Sequence, residues 1–373
     1  MAHIMSDAAQ NAPTQPLPHL PRQVPGRRRG RARRILVRVA TAACLALVAL
    51  IGGGWLWLGR TVTSYPGAHF NQGQNAVWLE HTWAGDPHSG ADYDMLVAQL
   101  ARAQVRYIFA HVGPLDGDGT IPPDRYTHAA TFVHALKQRM PGVRVLAWIG
   151  QLERSSGQPE EQTIDLGDPH TRQRIAATAA LFAGTLGFDG VHYDIEPMLN
   201  NNPRLLDLFD VTRIAMPPGA LLSTSAPMWA PNAHVAGWLV STVGKGAGLW
   251  MSYYYAAVAT HVDQLVVMDY NTAIPSGPLY SLYVKQQTQN ILAAVRSARH
   301  PPQVLIGLPT YAGDGFWFHA AAENLDNGLS GVIAGLNSDR DSAPFAGIAI
   351  YRFATTDDAT WHLYDDMWLG RSR

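Results

Sequence analysis

From about residue 62 onward, short apolar runs alternate with longer stretches whose apolar positions recur every three to four residues. The runs predict eight strands: "NAVWLEHTW" (75–83), "VRYIFAHVG" (105–113), "VRVLAWIG" (143–150), "FDGVHYDIE" (188–196), "LLSTSAPMW" (221–229), "QLVVMDYN" (264–271), "QVLIGLPTY" (303–311) and "AGIAIYRF" (346–353). Amphipathic stretches over 92–104, 127–140, 169–187 and 282–298 predict helices between them. Strands that are almost continuously apolar and separated by helices are parallel and covered on both faces. Eight such units in about 310 residues match a closed (β/α)8 TIM barrel. An open doubly wound sheet has the same alternation, but no strand here is followed by a G-x-G-x-x-G phosphate loop. The predicted fold class is α/β, a single barrel over 75–373.

The pattern upstream is different. Arg27, Arg28, Arg29, Arg31, Arg33, Arg34 and Arg38 precede "VATAACLALVALIGGGWLWL" (39–58), twenty residues without a charge. At a helical rise that length matches the bilayer core. A cleaved signal peptide has a shorter apolar core and a small-residue cleavage site; this run is longer and ends in Trp55 and Trp57. The expectation is an uncleaved transmembrane signal anchor over 35–59, with a cleaved signal or a buried core helix as alternatives. The positive-inside rule places the arginines in the cytoplasm and the barrel on the extracytoplasmic side of the inner (cell) membrane. Residues 1–34, rich in Pro, Gln, Ala and Arg, are expected to form a disordered cytoplasmic tail, and 60–74 a linker.

Net charge is −1, so no global basic field points to nucleic acid. The single cysteine, Cys44, lies inside the apolar run, so the part beyond it has no disulfide.

The segment "GFDGVHYDIEP" (187–197) holds three acidic groups and a histidine in a chain with 15% charged residues. Side chains alternate along a strand, so His192, Asp194 and Glu196 share one face, and Val191, Tyr193 and Ile195 the other. In such a barrel the chemistry lies at the C-terminal strand ends, where Glu196 is topmost. Other strands also end in polar or aromatic groups: Glu80, Trp83, His111, Gln151, Trp229, Asp269, Tyr270, Asn271, Tyr311 and Tyr351. Aromatic faces and hydrogen-bonding groups on one rim suit a sugar-binding cleft. More ordinary readings remain beside these. Asp194 and Glu196 could pair with a rim arginine; His192 could be a hydrogen-bonded barrel histidine; Asp269 either binds sugar hydroxyls or supports Tyr270. No metal-ligand spacing appears, and no cofactor is expected.

"FDGVHYDIE" resembles the D-G-x-D-x-D-x-E signature of glycoside hydrolase family 18, the chitinases and endo-N-acetylglucosaminidases. "VVMDYN" is similar to the family's M-x-Y-[DN] on the sixth strand and "VLIGLPTYAG" to its G-x-P-x-Y-G on the seventh. The matches come in family order over roughly 75–353. The resemblance implies a retaining, substrate-assisted glycosidase acting on β-linked N-acetylhexosamine in an oligo- or polysaccharide. Glu196 then matches the acid/base, Asp194 the aspartate that orients the acetamido group, and Tyr270 the tyrosine that binds its oxygen. His192, Asp269, Asn271, Tyr351, Trp83, Trp229 and Tyr311 are the expected substrate-binding residues. Two carboxyls on one face repel, so Glu196 should keep its proton to higher pH than a free glutamate.

Three positions depart from the pattern. His192 stands where the signature has an aspartate, and a protonated imidazole there would hold Asp194 ionised. Asn271 stands where many chitinases have aspartate, a variation the pattern allows. Tyr351 stands where a tryptophan floors the acetamido-sugar subsite. With no inserted module between the seventh and eighth strands, the groove is expected to be shallow. A glycan-binding protein without hydrolysis, or a scaffold in an envelope polysaccharide assembly, are the alternatives.

Overall fold

A computed structural model describes residues 67, 69–154, 163–232, 248–313, 315, 318–339 and 341–371. The expected tail, the expected anchor and most of the expected linker lie outside these residues. Among the described residues no helix is long and apolar enough to cross a membrane.

Eight parallel strands close on themselves: β1 (Asn75–Leu79), β2 (Val105–His111), β3 (Arg144–Glu153), β4 (Gly190–Glu196), β5 (Leu221–Ala226), β6 (Gln264–Met268), β7 (Gln303–Pro309) and β8 (Phe345–Tyr351). Each pairs with its neighbour in sequence, and β8 returns to β1 with Ala76 beside Ala349 and Val77 beside Ile350. The helices α1 (Gly90–Arg102), α2 (Ala129–Arg139), α3 (Pro169–Ala180), α4 (Pro203–Ala215), α5 (Ser252–Val258), α6 (Gly277–Val295), α7 (Leu325–Ser338) and α8 (Asp358–Met367) each follow the strand of the same number. This is the (β/α)8 barrel that the alternation implies.

Period-two alternation sorts each strand between two cores. Residues such as Val77, Ile108, Val191 and Leu265 pack outward against the helices. Trp78, Phe109, Leu146 and Val266 point inward with small partners such as Ala76 and Ala349. Trp78 takes the space left by Gly307, where an added Cβ would meet its ring at 3.1 Å. The β1–β8 seam is closed by buried Asn75, whose Oδ1 accepts from Ile348 N and Trp368 Nε1 at 3.1 and 3.0 Å. Packed chain begins before residue 75, within the expected linker: Gly67 N donates to Met367 O at 2.7 Å.

At the N-terminal face, Asp189 accepts from Val145 N at 2.9 Å and pairs with Arg144 and Lys137, each at 3.0 Å. Asp263 accepts from Leu222 N and pairs with Arg213, both at 2.8 Å. These aspartates fix strand starts and lie at the opposite end from Glu196. Between them the chain needs Gly190, with φ +155°, because a Cβ there would sit 2.0 Å from Leu221 O.

Most predicted strands run past the observed ends, and in two this moves an expected cleft residue off the barrel. The first strand stops at Leu79, and Trp83 lies in a helical turn, Thr82–Gly85. The fifth stops at Ala226, and Trp229 belongs to a separate short pair, Met228–Trp229 with Leu249–Trp250.

Candidate active site

The inner face of β4 sets the height of each polar group. His192 lies deepest, with no exposed surface; Asp194 is partly buried; Glu196 stands at the mouth in contact with solvent. Asp194 is held by Trp148 Nε1, from β3, which donates to its Oδ2 at 3.0 Å, and Ser225 of β5 lies beside the same carboxyl. Its other oxygen, Oδ1, is buried with no partner among the described residues. That leaves one acceptor atom free for an N–H donor. His111 packs behind Trp148 with ring centroids 4.5 Å apart; burial first, then the neighbouring His81, lower its pKa to about 4, so the ring is neutral.

Burial raises the Asp194 pKa, and Ser225 and Trp148 offset part of that rise. Glu196 is pushed up to about 7, chiefly by desolvation and then by the Asp194 charge. A carboxylic acid still protonated near neutrality, with one side open to solvent, has the properties of a general acid.

Tyr270 and Tyr351 form the opposite wall. Their rings stack at 4.4 Å with an interplanar angle of 12°. Trp78 meets both edge-on, at 6.3 and 5.5 Å. Burial and the charges of Asp194 and Glu196 raise the pKa of both phenols, so each remains a hydroxyl donor. The structure therefore brings Glu196, Asp194, Tyr270 and Tyr351 into one inner ring at the C-terminal end of the barrel.

Asn271 follows at the rim, exposed, in a left-handed conformation with φ +57°. Its N–H donates to Tyr311 Oη at 3.3 Å. Tyr311 Oη in turn donates to Glu323 Oε2 at 3.3 Å, and Glu323 Oε2 also accepts from Thr272 N at 2.9 Å. Buried Glu323 thus ties the loop after β6 to the end of β7.

Four expected substrate-binding residues are placed elsewhere. His192 is sealed beneath the cleft. It is neutral, since burial lowers its pKa to about 3, so it does not supply the charge that a protonated imidazole would offer Asp194. Asp269 is fully buried and faces outward, because alternation through Met268 and Tyr270 turns the intervening residue towards the helices. Trp83 stacks on His88 at 4.1 Å and packs against Tyr93 and Phe132 of α1 and α2. Trp229 is fastened by its backbone to Gln287 of α6 and by Nε1 to Ser252 Oγ at 2.9 Å.

Trp78, Trp148, Ser225 and Glu323 are not among the expected site residues. Ser223 and Ser225 carried a usable signal, polar groups two apart in an apolar strand. Glu323 carried none, since it lies in a loop. Among the described residues, no group of three or more His, Cys, Asp or Glu is placed to hold a metal ion.

No protein-family model matches the chain, and no curated protein matches it by sequence. Solved structures do match its fold. The spore cortex-lytic enzyme SleL of Bacillus cereus superposes with a TM-score of 0.53 at 14% identity, covering 79% of this chain and 74% of that one. A class V chitinase mutant from the plant Cycas revoluta, solved in complex with (GlcNAc)3, gives 0.52 at 14% identity over 79% and 99%. A chitinase from Chromobacterium violaceum gives 0.52 at 14% identity over 80% and 99%. At this identity the likeness is one of fold, and the chemistry has to come from the residues themselves.

Proposed function

We propose that this chain is a glycosidase of the family 18 type, cleaving β-linked N-acetylhexosamine glycans with retention through substrate assistance. The observation that carries the reading is the pairing of a protonated Glu196 at the mouth with Asp194 directly below, whose Oδ1 has no partner among the described residues. The Glu196 carboxyl gives its proton to the glycosidic oxygen as the C1–O bond breaks. The acetamido oxygen of the same sugar bonds to C1, forming an oxazolinium ion. Asp194 Oδ1 accepts the acetamido N–H and offsets the positive charge, and Tyr270 Oη donates to the acetamido oxygen. Water then attacks C1, returning a proton to Glu196 and restoring the acetamido group with overall retention. The fold shared with two chitinases and a cortex-lytic enzyme supports the reading, as does the (GlcNAc)3 bound by the Cycas chitinase.

The arginine cluster and the charge-free run over 39–58 support a single-pass anchor in the inner membrane, with the barrel on the extracytoplasmic side. One observation favours binding without cleavage: the Tyr270–Tyr351 stack leaves Tyr270 only 7% exposed beside the acidic pair.

The test is release of fluorophore from β-linked N-acetylglucosamine oligomers by the full chain in detergent, beside Glu196→Gln. Loss of the proton donor is expected to slow release by about 10²–10⁴-fold while oligomer binding persists. Equal release by both proteins removes Glu196 as the acid. Binding by both with release by neither selects the glycan-binding reading.

A further inference from the structure

A second polar site adjoins the acidic pair, where the end of β3 meets the loop between β4 and α4. It is a cavity of about 390 Å³, within the range of small-ligand pockets. Pro197, the residue after Glu196, lines it, and Glu153, Leu199, Asn202 and Arg204 are among its walls. The mechanism above uses none of them.

Asparagines fasten the loop. Asn200 Oδ1 accepts from Met251 N at 2.9 Å, and its Nδ2 donates to Tyr253 Oη. Asn202 Oδ1 caps α4 by accepting from Arg204 N at 3.1 Å, and its Nδ2 donates to Glu153 Oε2 at 2.9 Å. The Asn202 carbonyl accepts from Tyr254 Oη at 2.7 Å. These two amides are taken up by the fold. What remains for a ligand is Glu153 Oε1 and the Arg204 guanidinium, neither of which has a hydrogen-bond or ion-pair partner among the described residues.

Two opposite charges thus face one cavity without pairing, because each is held in place by its neighbours. Asn202 ties Glu153 to the loop. The guanidinium lies against Gly167, where an added Cβ would meet Nη1 at 3.0 Å and Cζ at 3.2 Å. Burial raises the Glu153 pKa, and the Asn202 bond and then the Arg204 charge lower it again. Arg154, on the same wall, pairs with Asp165 at 3.7 Å. With Glu153 ionised the cavity carries no net charge. A hydroxyl suits such a gap, since its oxygen accepts from the guanidinium while its hydrogen goes to the carboxylate. A carboxylate on the ligand would meet Glu153, and an ammonium would meet Arg204. Leu199, 49% exposed, offers apolar surface to ring carbons.

We propose that this cavity holds the sugar on the leaving side of the scissile bond, and that Glu153 and Arg204 select a neutral pyranose there by clasping a hydroxyl between them. The proposal rests on the glycosidase reading for the side of the bond that is held. Glu196 protonates the oxygen joining two sugars, one in the inner ring with its acetamido group on Asp194 and the next beyond Glu196, over Pro197.

Kinetics of the full chain in detergent test this with two substrates. One is a fluorogenic N-acetylglucosamine oligomer whose leaving group is an aromatic fluorophore without a hydroxyl to clasp. The other is a plain oligomer, cleaved between two sugars. Arg204→Ala and Glu153→Gln each remove one hydrogen bond to a charged group. Each is expected to lower kcat/KM about 10- to 100-fold more for the plain oligomer than for the fluorogenic one. Equal losses on both overturn the proposal, since a role in folding would move both alike.

The neutral preference is read from a plain oligomer carrying a C6 carboxylate on one sugar, with the cleaved bond located by mass spectrometry. Wild-type protein is expected to avoid the bond that would place this sugar in the cavity, and Glu153→Gln to cleave it more readily. Cleavage there by wild type at the rate of the neutral oligomer overturns the selection. If wild-type protein cleaves nothing, the glycosidase reading fails and titration with the plain oligomer decides the site. Binding by Arg204→Ala at least about tenfold weaker than wild type supports it, and equal or absent binding overturns it.

Discussion

Replacing Asp269 with asparagine should stabilise the protein, and by an amount that grows with pH. The Asp269 side chain is fully buried, and neither carboxyl oxygen has a hydrogen-bond partner among the described residues. Tyr255, Tyr280 and Tyr283 are close enough to feel its charge, but they carry no positive charge to balance it. Desolvation therefore raises its pKa well above the ordinary 3.8. Below about pH 4 the carboxyl is protonated in both the folded and the unfolded chain, and the charge costs nothing. Above that value the unfolded chain ionises while the folded chain holds its proton. Stability is then lost at about 1.4 kcal/mol per pH unit until the folded-state pKa is reached. Because the group has no exposed surface, solvent screening does not reduce that slope. Asparagine is neutral throughout and of nearly the same shape, so Asp269→Asn escapes it. At about 2–4 °C per kcal/mol, the melting temperatures should coincide near pH 4 and then separate by about 3–6 °C per pH unit in the variant's favour. Thermal melts of both proteins at pH 4, 5, 6 and 7 in one detergent buffer measure this. Parallel curves would refute it, since they would require an ionised Asp269 with a partner. Glycan binding should be unchanged, because Asp269 does not reach the cleft.

Asp194→Asn removes the charge that repels a proton loss from Glu196, so the basic limb of the pH–rate profile, expected near pH 7 from the raised Glu196 pKa, should move to lower pH. The same variant should slow the reaction by about 10²–10³-fold; a limb that stays in place separates the two carboxyls electrostatically. Glu323→Ala leaves the half-buried donors Thr272 N and Tyr311 Oη without their acceptor, which should cost about 0.5–1.5 kcal/mol for each bond and loosen the loop that carries Asn271. Denaturant melts check the first effect and oligomer affinity the second, and an unchanged affinity would detach Glu323 from the cleft.

Period-two and period-3.6 patterns determined the barrel, its eight units and the inward face of β4, because each pattern reports which side of an element meets the core. The same arithmetic placed His192, Asp194 and Glu196 at increasing height. Carried to β6 and two residues past its end, through Gln264, Val266, Met268 and Tyr270, it also separates Asp269 from Tyr270. A period cannot show where a strand ends, and there the placement of Trp83 and Trp229 on barrel strands failed. Trp83 lies four residues past the end of β1 and Trp229 three past the end of β5, in separate local elements, where the alternation no longer refers to the barrel axis.

Only the closed tertiary structure decided which groups meet across the barrel. Trp78 of β1, Ser225 of β5 and His192 of β4 are far apart in sequence, and barrel closure and strand register alone bring them to one level. Burial at that level keeps His192 neutral, and the Trp78 indole there meets its Nε2. Glu323 was decided in the same way, by a loop whose path no periodicity encodes. Pattern in a sequence specifies each element's orientation towards the core; hydrogen-bond partners and pKa values depend on distances between elements, which exist only once the chain has closed on itself.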